Sequence, residues 1–174
     1  MQKPSPSRKS AAKRRTRQAP PLEVQLSLDV ADAAPPAAGW LEEHLRRAAA
    51  FAGIGGEVSI LVVGDRRMAR LHVEYKQVPG TTDCLTFDLS GPHTPKGLVE
   101  GDLVLCMAVA RRQAKKRGHS TREELLLYAV HGLLHLDGED DLDPAAFEKM
   151  HAREDAILQA LGFGPLFAGK SAGK

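Results

Sequence analysis

The sequence predicts an α+β fold: a single domain in which about four strands form a mixed sheet packed against five or six helices. Three observations predict it. The chain has 174 residues and is 43% hydrophobic, enough for one core, and shows neither an internal repeat nor a linker between domains. Short β-rich runs, several strictly alternating, recur at 22–30, 57–63, 83–89 and 101–107. Helical stretches separate or follow them, and one, near residue 130, is apolar nearly all round, which places it at the centre of the core.

The elements follow in order. Residues 22–30 (LEVQLSLDV) alternate apolar and polar, as a half-buried strand does. A Pro/Ala loop covers 33–39. From Trp40 to Phe51 an amphipathic helix carries Trp40, Leu41, His44, Leu45, Ala48 and Phe51 on one stripe, closed by Gly53. Residues 57–63 (EVSILVV) form a second strand. Asp65 is placed to cap a helix running to about Val73. Residues 83–89 (DCLTFDL) alternate again, 91–97 form a loop, and 101–107 (GDLVLCM) lead into a basic helix over 108–117 stopped by Gly118.

Ser120-Thr121-Arg122-Glu123 has the capping-box pattern, in which the serine oxygen meets the amide three residues on and the glutamate reaches back. The apolar helix that it opens runs to Gly138. Asp143-Pro144 then supplies a cap followed by proline at the first helical position. The last helix turns Phe147, Met150, Ile157, Leu158 and Leu161 inward.

Charge divides the chain. Residues 1–20 hold seven basic residues and no acid, leaving 17 basic against 22 acidic residues in the remainder. The first twenty residues read as a disordered basic tail, 22–163 as the folded domain and 164–174 as a flexible C-terminal tail. A basic tail either adds sequence-independent attraction to phosphates or is simply solvated. No apolar run is long enough to span a bilayer and no secretory h-region is visible, so a soluble protein is expected. Cys84 and Cys106 lie in strand-like runs and read as free thiols in a reducing compartment.

The chemistry concentrates in HGLLHLDGEDD, residues 131–141. His131 and His135 are four apart, so on a helix they stand on one face and their ring nitrogens can converge on one point. A turn at Gly138 lets Asp141 reach the same point. Two imidazoles, a carboxylate and an open fourth position describe a catalytic zinc site, with iron, nickel or manganese as other occupants. The alternative is a buried helix whose histidines are satisfied by nearby carbonyls; the glycine stop followed by a carboxylate favours the metal. Asp137, Glu139 and Asp140 read either as a solvated helix end or, since acids at a helix C-terminus run against the dipole, as a hint of a nearby cation. The rhythm is that of metzincin proteases, but Gly132 stands where those proteins carry the glutamate that serves as general base.

Read together with its neighbours, this segment resembles the YbeY family of bacterial rRNA maturation endoribonucleases. The family pattern H-G-x-L-H-L-x-G-Y-D-H is met by HGLLHLDGEDD, and L-N-x-x-Y-R-x-x-D-x-P-T-D-V-L-S-F-P by LHVEYKQVPGTTDCLTFD, residues 71–88. GDLVLC is similar to the family's G-D-I-V-I-C, and His119 falls where many members carry a histidine. The resemblance covers roughly residues 22–163. It implies a single α+β domain with a central metal-binding helix, one zinc ion per chain, a cytoplasmic role, and rRNA and the small ribosomal subunit as partners. The implied activity is cleavage of single-stranded RNA in 16S rRNA 3′-end maturation and ribosome quality control. It further implies His131, His135 and Asp141 as metal ligands, with Asp141 replacing the family's third histidine. Lys76 replaces the family arginine as the cation for phosphate binding and catalysis, and His119 is a candidate for proton transfer. Glu139, His72 and Asp88 also depart from the pattern, whereas Thr82, Asp83, Leu85 and Phe87 keep it. His44, His72, His93 and His151 belong to no constellation and read as surface or packing residues. Two rival functions stand beside the nuclease: a ribosome-assembly binding factor with a structural metal, and a metal-dependent hydrolase of another substrate such as a peptide.

Overall fold

The computed structural model describes residues 19–30, 38–164 and 166–167. Of the tails expected at 1–20 and 164–174, residues 1–18, 165 and 168–174 lie outside the described residues, as do 33–37 of the Pro/Ala loop. Leu166 is buried in the core and Phe167 packs against it, so these two residues belong to the folded domain and not to the expected flexible tail. Four strands and five helices are found among those described, in the order β1 (Leu22–Asp29), α1 (Ala38–Ala52), β2 (Gly55–Val63), α2 (Asp65–Lys76), β3 (Cys84–Asp88), β4 (Leu98–Cys106), α3 (Met107–Arg117), α4 (Thr121–Leu136) and α5 (Pro144–Ala160).

The sheet is mixed, as expected, with order β1-β2-β4-β3. β1, β2 and β4 are parallel, and β3 is an antiparallel edge strand on β4, with Cys84 opposite Leu105 and Asp88 opposite Gly101. Parallel strands need crossovers, and α1 and α2 supply them. The two faces are covered unequally. Ile60, Val62, Leu103 and Leu105 pack with α1, α4 and α5 in the larger core. On the other face Met68 of α2 meets Val63, Leu85, Val104 and Cys106.

α4 is the central helix that the sequence predicts. Leu125, Leu126, Leu133 and Leu134 are at most 1% exposed, and each such side chain stabilises the fold by about 1.5–3 kcal/mol. The helix starts in the expected capping box: the Glu123 amide donates to Ser120 Oγ, and the Ser120 amide donates to Glu123 Oε2 at 2.7 Å. Gly138 then takes φ of 85°, the left-handed conformation that turns the chain back. Gly132 lets α4 lie close on the sheet: a Cβ there would stand 2.6 Å from Leu103 Cδ2 and 3.2 Å from Cys84 Sγ. α5 opens at Asp143, whose Oδ1 accepts from the amides of Ala145 and Ala146, with Pro144 at the first position.

Three local expectations are corrected. Asp65 is not a cap; Gly64 holds that position without a side-chain bond, and the Asp65 carboxylate pairs with Arg112 at 2.8 Å. Phe51 is 59% exposed, because the buried stripe of α1 runs through Leu41, Leu45, Ala48 and Ala49 and leaves it to one side. Phe147 is 40% exposed and lines a cleft instead of entering the core. Both cysteines are free; burial, with the Asp83 charge, pushes the Cys84 thiol up to about 12, so it is an inert packing group.

Candidate metal centre

One helical turn separates His131 from His135, and the last turn of α4 stacks their rings edge to face with centroids 4.5 Å apart. Their Nε2 atoms face each other at 3.1 Å. The chain reverses at Gly138 and brings Asp141 Oδ1 to 3.8 Å from His135 Nε2. One ligand atom from each of the three residues lies within 4.8 Å of the others, the spacing of a group that could hold a metal ion. Two nitrogens bound to one zinc at about 2.0–2.1 Å each can stand no more than about 4 Å apart, a condition that the imidazoles meet.

The outward nitrogens are already committed. His131 Nδ1 donates to Glu154 Oε1 at 2.7 Å, and His135 Nδ1 donates to the Glu139 carbonyl at 2.9 Å. A carboxylate and a carbonyl only accept, so each neutral ring carries its proton on Nδ1 and turns an Nε2 lone pair inward. Two lone pairs 3.1 Å apart repel unless a cation or a proton lies between them. Metal-binding histidines are oriented by this same arrangement of Nδ1 partners, so the donor set fits a divalent ion. Burial pulls the His131 pKa down, but its bond to Glu154 and the charges of Glu154, Asp83 and Asp141 outweigh burial and hold it above the ordinary histidine value.

Two clefts meet at this cluster. One, of about 410 Å³, is lined by Lys76, Thr86 and Asp88 together with His131, His135 and Asp141. The other, of about 240 Å³, passes His131 and Asp141 and is walled by Arg117, Tyr128, Phe147, His151 and Phe167. Lys76 is therefore brought to the candidate ligands from the last residue of α2. His119 is not. Its side chain is fully enclosed, its Nε2 is bonded to the buried Glu124, and it lines neither cleft.

The other acids of the segment find separate partners. Asp137 accepts from the Gly97 amide at 3.0 Å and from Arg153, Glu139 pairs with Arg153 at 2.5 Å, and Asp140 accepts from the Leu142 amide. The cation that the acidic helix end called for is thus in part Arg153, and Asp141 alone of the four joins the cluster. Gly132 faces β4, where even a Cβ would press on Leu103 Cδ2 at 2.6 Å, so a carboxylate placed there would point into the packed layer and away from the cluster, unlike the base of a metzincin protease.

Sequence reasoning missed Glu154, His151, Arg117 and Tyr128. Glu154 bonds His131 and also accepts from His151 Nδ1 at 2.5 Å, while His151 stacks on Phe167 with ring centroids 3.8 Å apart. A signal for Glu154 did exist: it falls on the inward stripe of α5 with Met150, Ile157 and Leu158, and an acid on an apolar face needs a partner. Arg117 and Tyr128 both bond Glu124, an acid enclosed in the first turn of α4 just before its apolar run.

An α+β domain whose buried helix and following turn converge two imidazoles and a carboxylate between two clefts is a protein with a candidate mononuclear metal centre. The chain belongs to the YbeY family: the family model described as Endoribonuclease YbeY matches residues 26–162. Similar curated proteins, each named Endoribonuclease YbeY, include one from Arthrobacter sp. (strain FB24), 38% identical over 123 residues that cover 67% of this chain and 74% of the relative. Another, from Micrococcus luteus, is 40% identical over 107 residues, covering 59% and 68%. A third, from Acidothermus cellulolyticus, is 41% identical over 114 residues, covering 60% and 70%. Among solved structures, the solution structure of TM1509 from Thermotoga maritima shares the fold, with a TM-score of 0.54, 20% identity, and coverage of 87% of this chain and 99% of that one.

Proposed function

We propose that the protein is a zinc-dependent endoribonuclease that cuts single-stranded RNA, with one zinc per chain held by His131, His135 and Asp141. The observation that carries this reading is the pair of inward Nε2 atoms, 3.1 Å apart, at the junction of two clefts. Membership of a family described as endoribonucleases supplies the substrate class. A divalent ion, when bound, supplies Lewis acidity toward a phosphate oxygen and acidifies water at neutral pH.

The rest is the work of the side chains. Glu154 and the Glu139 carbonyl fix both rings, so the ligands are set before substrate arrives. Lys76, exposed at the cleft wall, neutralises charge that gathers on the phosphoryl oxygens. Phe147, His151 and Phe167 offer aromatic surface in the second cleft. An unstacked base can lie on such a surface and a paired one cannot, which supports single-strand preference.

Action in 16S rRNA 3′-end maturation and ribosome quality control, contact with the small ribosomal subunit and a cytoplasmic location belong to the same proposal. No described helix is long and apolar enough to cross a membrane. Peptide hydrolysis is disfavoured by the closed space at Gly132. The test is cleavage of an end-labelled single-stranded RNA and its duplex by zinc-loaded protein, beside His131→Ala. Cleavage of the single strand that disappears in the variant is expected. Equal cutting of both RNAs, or unchanged activity in the variant, would overturn the reading.

A further inference from the structure

A third cleft, of about 510 Å³, lies away from the candidate metal ligands, at the C-terminal ends of the parallel strands. Asp29 ends β1, Gly64 follows β2 and Met107 follows β4, and all three line it. In sheets of parallel strands this edge is where ligands are received. Arg66, Arg67, Arg70 and Arg111 converge on it. Asp29 pairs with Arg67, and Asp65 with the neighbouring Arg112. Arg66, Arg70 and Arg111 are exposed and form no ion pair with a described residue. Three unneutralised guanidinium groups thus gather in one cleft of a chain that, beyond residue 20, has more acidic than basic residues. α2 and α3 also begin at this cleft, and neither has a side-chain cap. Their first-turn amides add to the attraction for an anion.

The cleft is linked to the candidate metal centre by those same two helices. α2 ends in Lys76 at one of the clefts flanking the cluster, and α3 ends in Arg117 at the other. Arg70 to Lys76 and Arg111 to Arg117 are each six residues, about 9 Å of helix rise. We propose that the arginine cleft binds backbone phosphates of the single-stranded RNA at a distance from the scissile bond, as an anchor for the strand entering the metal centre. Guanidinium groups suit this role because their forked donors grip phosphate oxygens without reading the base. The assignment rests on the nuclease reading above for the identity of its ligand.

The test is fluorescence anisotropy of a labelled single-stranded RNA, with full-length wild type and an Arg66→Ala/Arg70→Ala/Arg111→Ala variant, both without metal so that no cleavage occurs. The three arginines hold no ion pair with a described residue, so the variant is expected to keep the wild-type melting temperature. Its affinity for RNA is expected to fall on the order of tenfold or more, and its slope of log affinity against log salt to become shallower by about 2, at about 0.7 per lost phosphate contact. Unchanged affinity and slope would overturn the assignment, as would a wild type that does not bind the RNA. Inorganic pyrophosphate is titrated in parallel; loss of pyrophosphate binding with RNA binding intact would assign the cleft to a free phosphate ligand and also overturn the proposal. A failure of the nuclease reading is seen separately, as absence of cleavage by zinc-loaded protein at saturating RNA.

Discussion

His131 Nδ1 lies 2.7 Å from Glu154 Oε1, and the carboxylate that holds it is 1% exposed. A ligand in contact with a buried anion is both oriented and made a better electron donor. Glu154→Gln keeps the shape and removes the charge. It is expected to weaken zinc binding by about 10–100-fold, measured by competition with a chromophoric chelator. Wild-type affinity in the variant would remove Glu154 from the centre.

The same contact sets a pH dependence with opposite signs in the two states. His131 is held above its ordinary value, mainly through Glu154 once burial is overcome. In metal-free protein its contribution to stability is fully present below the unfolded-state value of about 6.5 and is lost as pH rises through the folded value. Metal needs the neutral ring, so in loaded protein the stabilisation grows as pH rises through that range. Melting temperatures of wild type and His131→Gln, with chelator and with zinc, are expected to show differences that slope in opposite directions. Parallel slopes would contradict the coupling.

Gly132→Ala sets helix propensity against packing. Alanine favours a helix by about 1 kcal/mol over glycine. The added methyl meets Leu103 Cδ2 at 2.6 Å and Cys84 Sγ at 3.2 Å within the buried layer between α4 and β4. Overpacking of that kind costs about 1–3 kcal/mol, so a net loss of stability is expected in chemical denaturation. A more stable variant would show that the layer yields.

Lys76 lines the cleft of the candidate ligands and makes no ion pair with a described residue. Lys76→Ala is expected to lower RNA cleavage about tenfold or more with zinc content unchanged, and Lys76→Arg to restore it, since a guanidinium grips phosphate at two points. Equal rates in all three proteins would leave Lys76 without a role in the reaction.

His119→Ala separates two readings of an enclosed histidine. Bonded to Glu124 beside Arg117, it belongs to a buried polar cluster. Its loss is expected to cost about 1–3 kcal/mol of stability and to leave the pH profile of cleavage where it was. A displaced profile with intact folding would restore the proton-transfer role suggested by its sequence position.

What was legible in the sequence was local. The capping box at Ser120, the Asp143-Pro144 start of α5 and the i, i+4 histidines each depend on residues within one turn, and each is found in the structure. The four strands were legible too, but not that β3 would sit on the outer edge of β4, because that is decided by pairing across the fold. Asp65 carried a good cap signal and was drawn off by Arg112, 47 residues away. Glu154 and His151 escaped for a similar reason. Their partners lie on α4 and near the C-terminus, so the spacing within α5 marks Glu154 as an acid on the inward stripe but does not say what it meets. Phe51 and Phe147 show the limit of a stripe argument, since the edge of an apolar face can be left in solvent or at a cleft wall.

The tight seating of α4 on β4 through Gly132 has a consequence for how this centre can vary. Two candidate ligands stand on the buried central helix, and altering their spacing means rebuilding the core. The third stands on the turn beyond Gly138, where its side chain is one-third exposed and lines both clefts. Exchange of that single residue can retune charge and metal preference while the scaffold stays intact. Asp141 occupies the one place in the triad where an exchange leaves the packing of the core untouched.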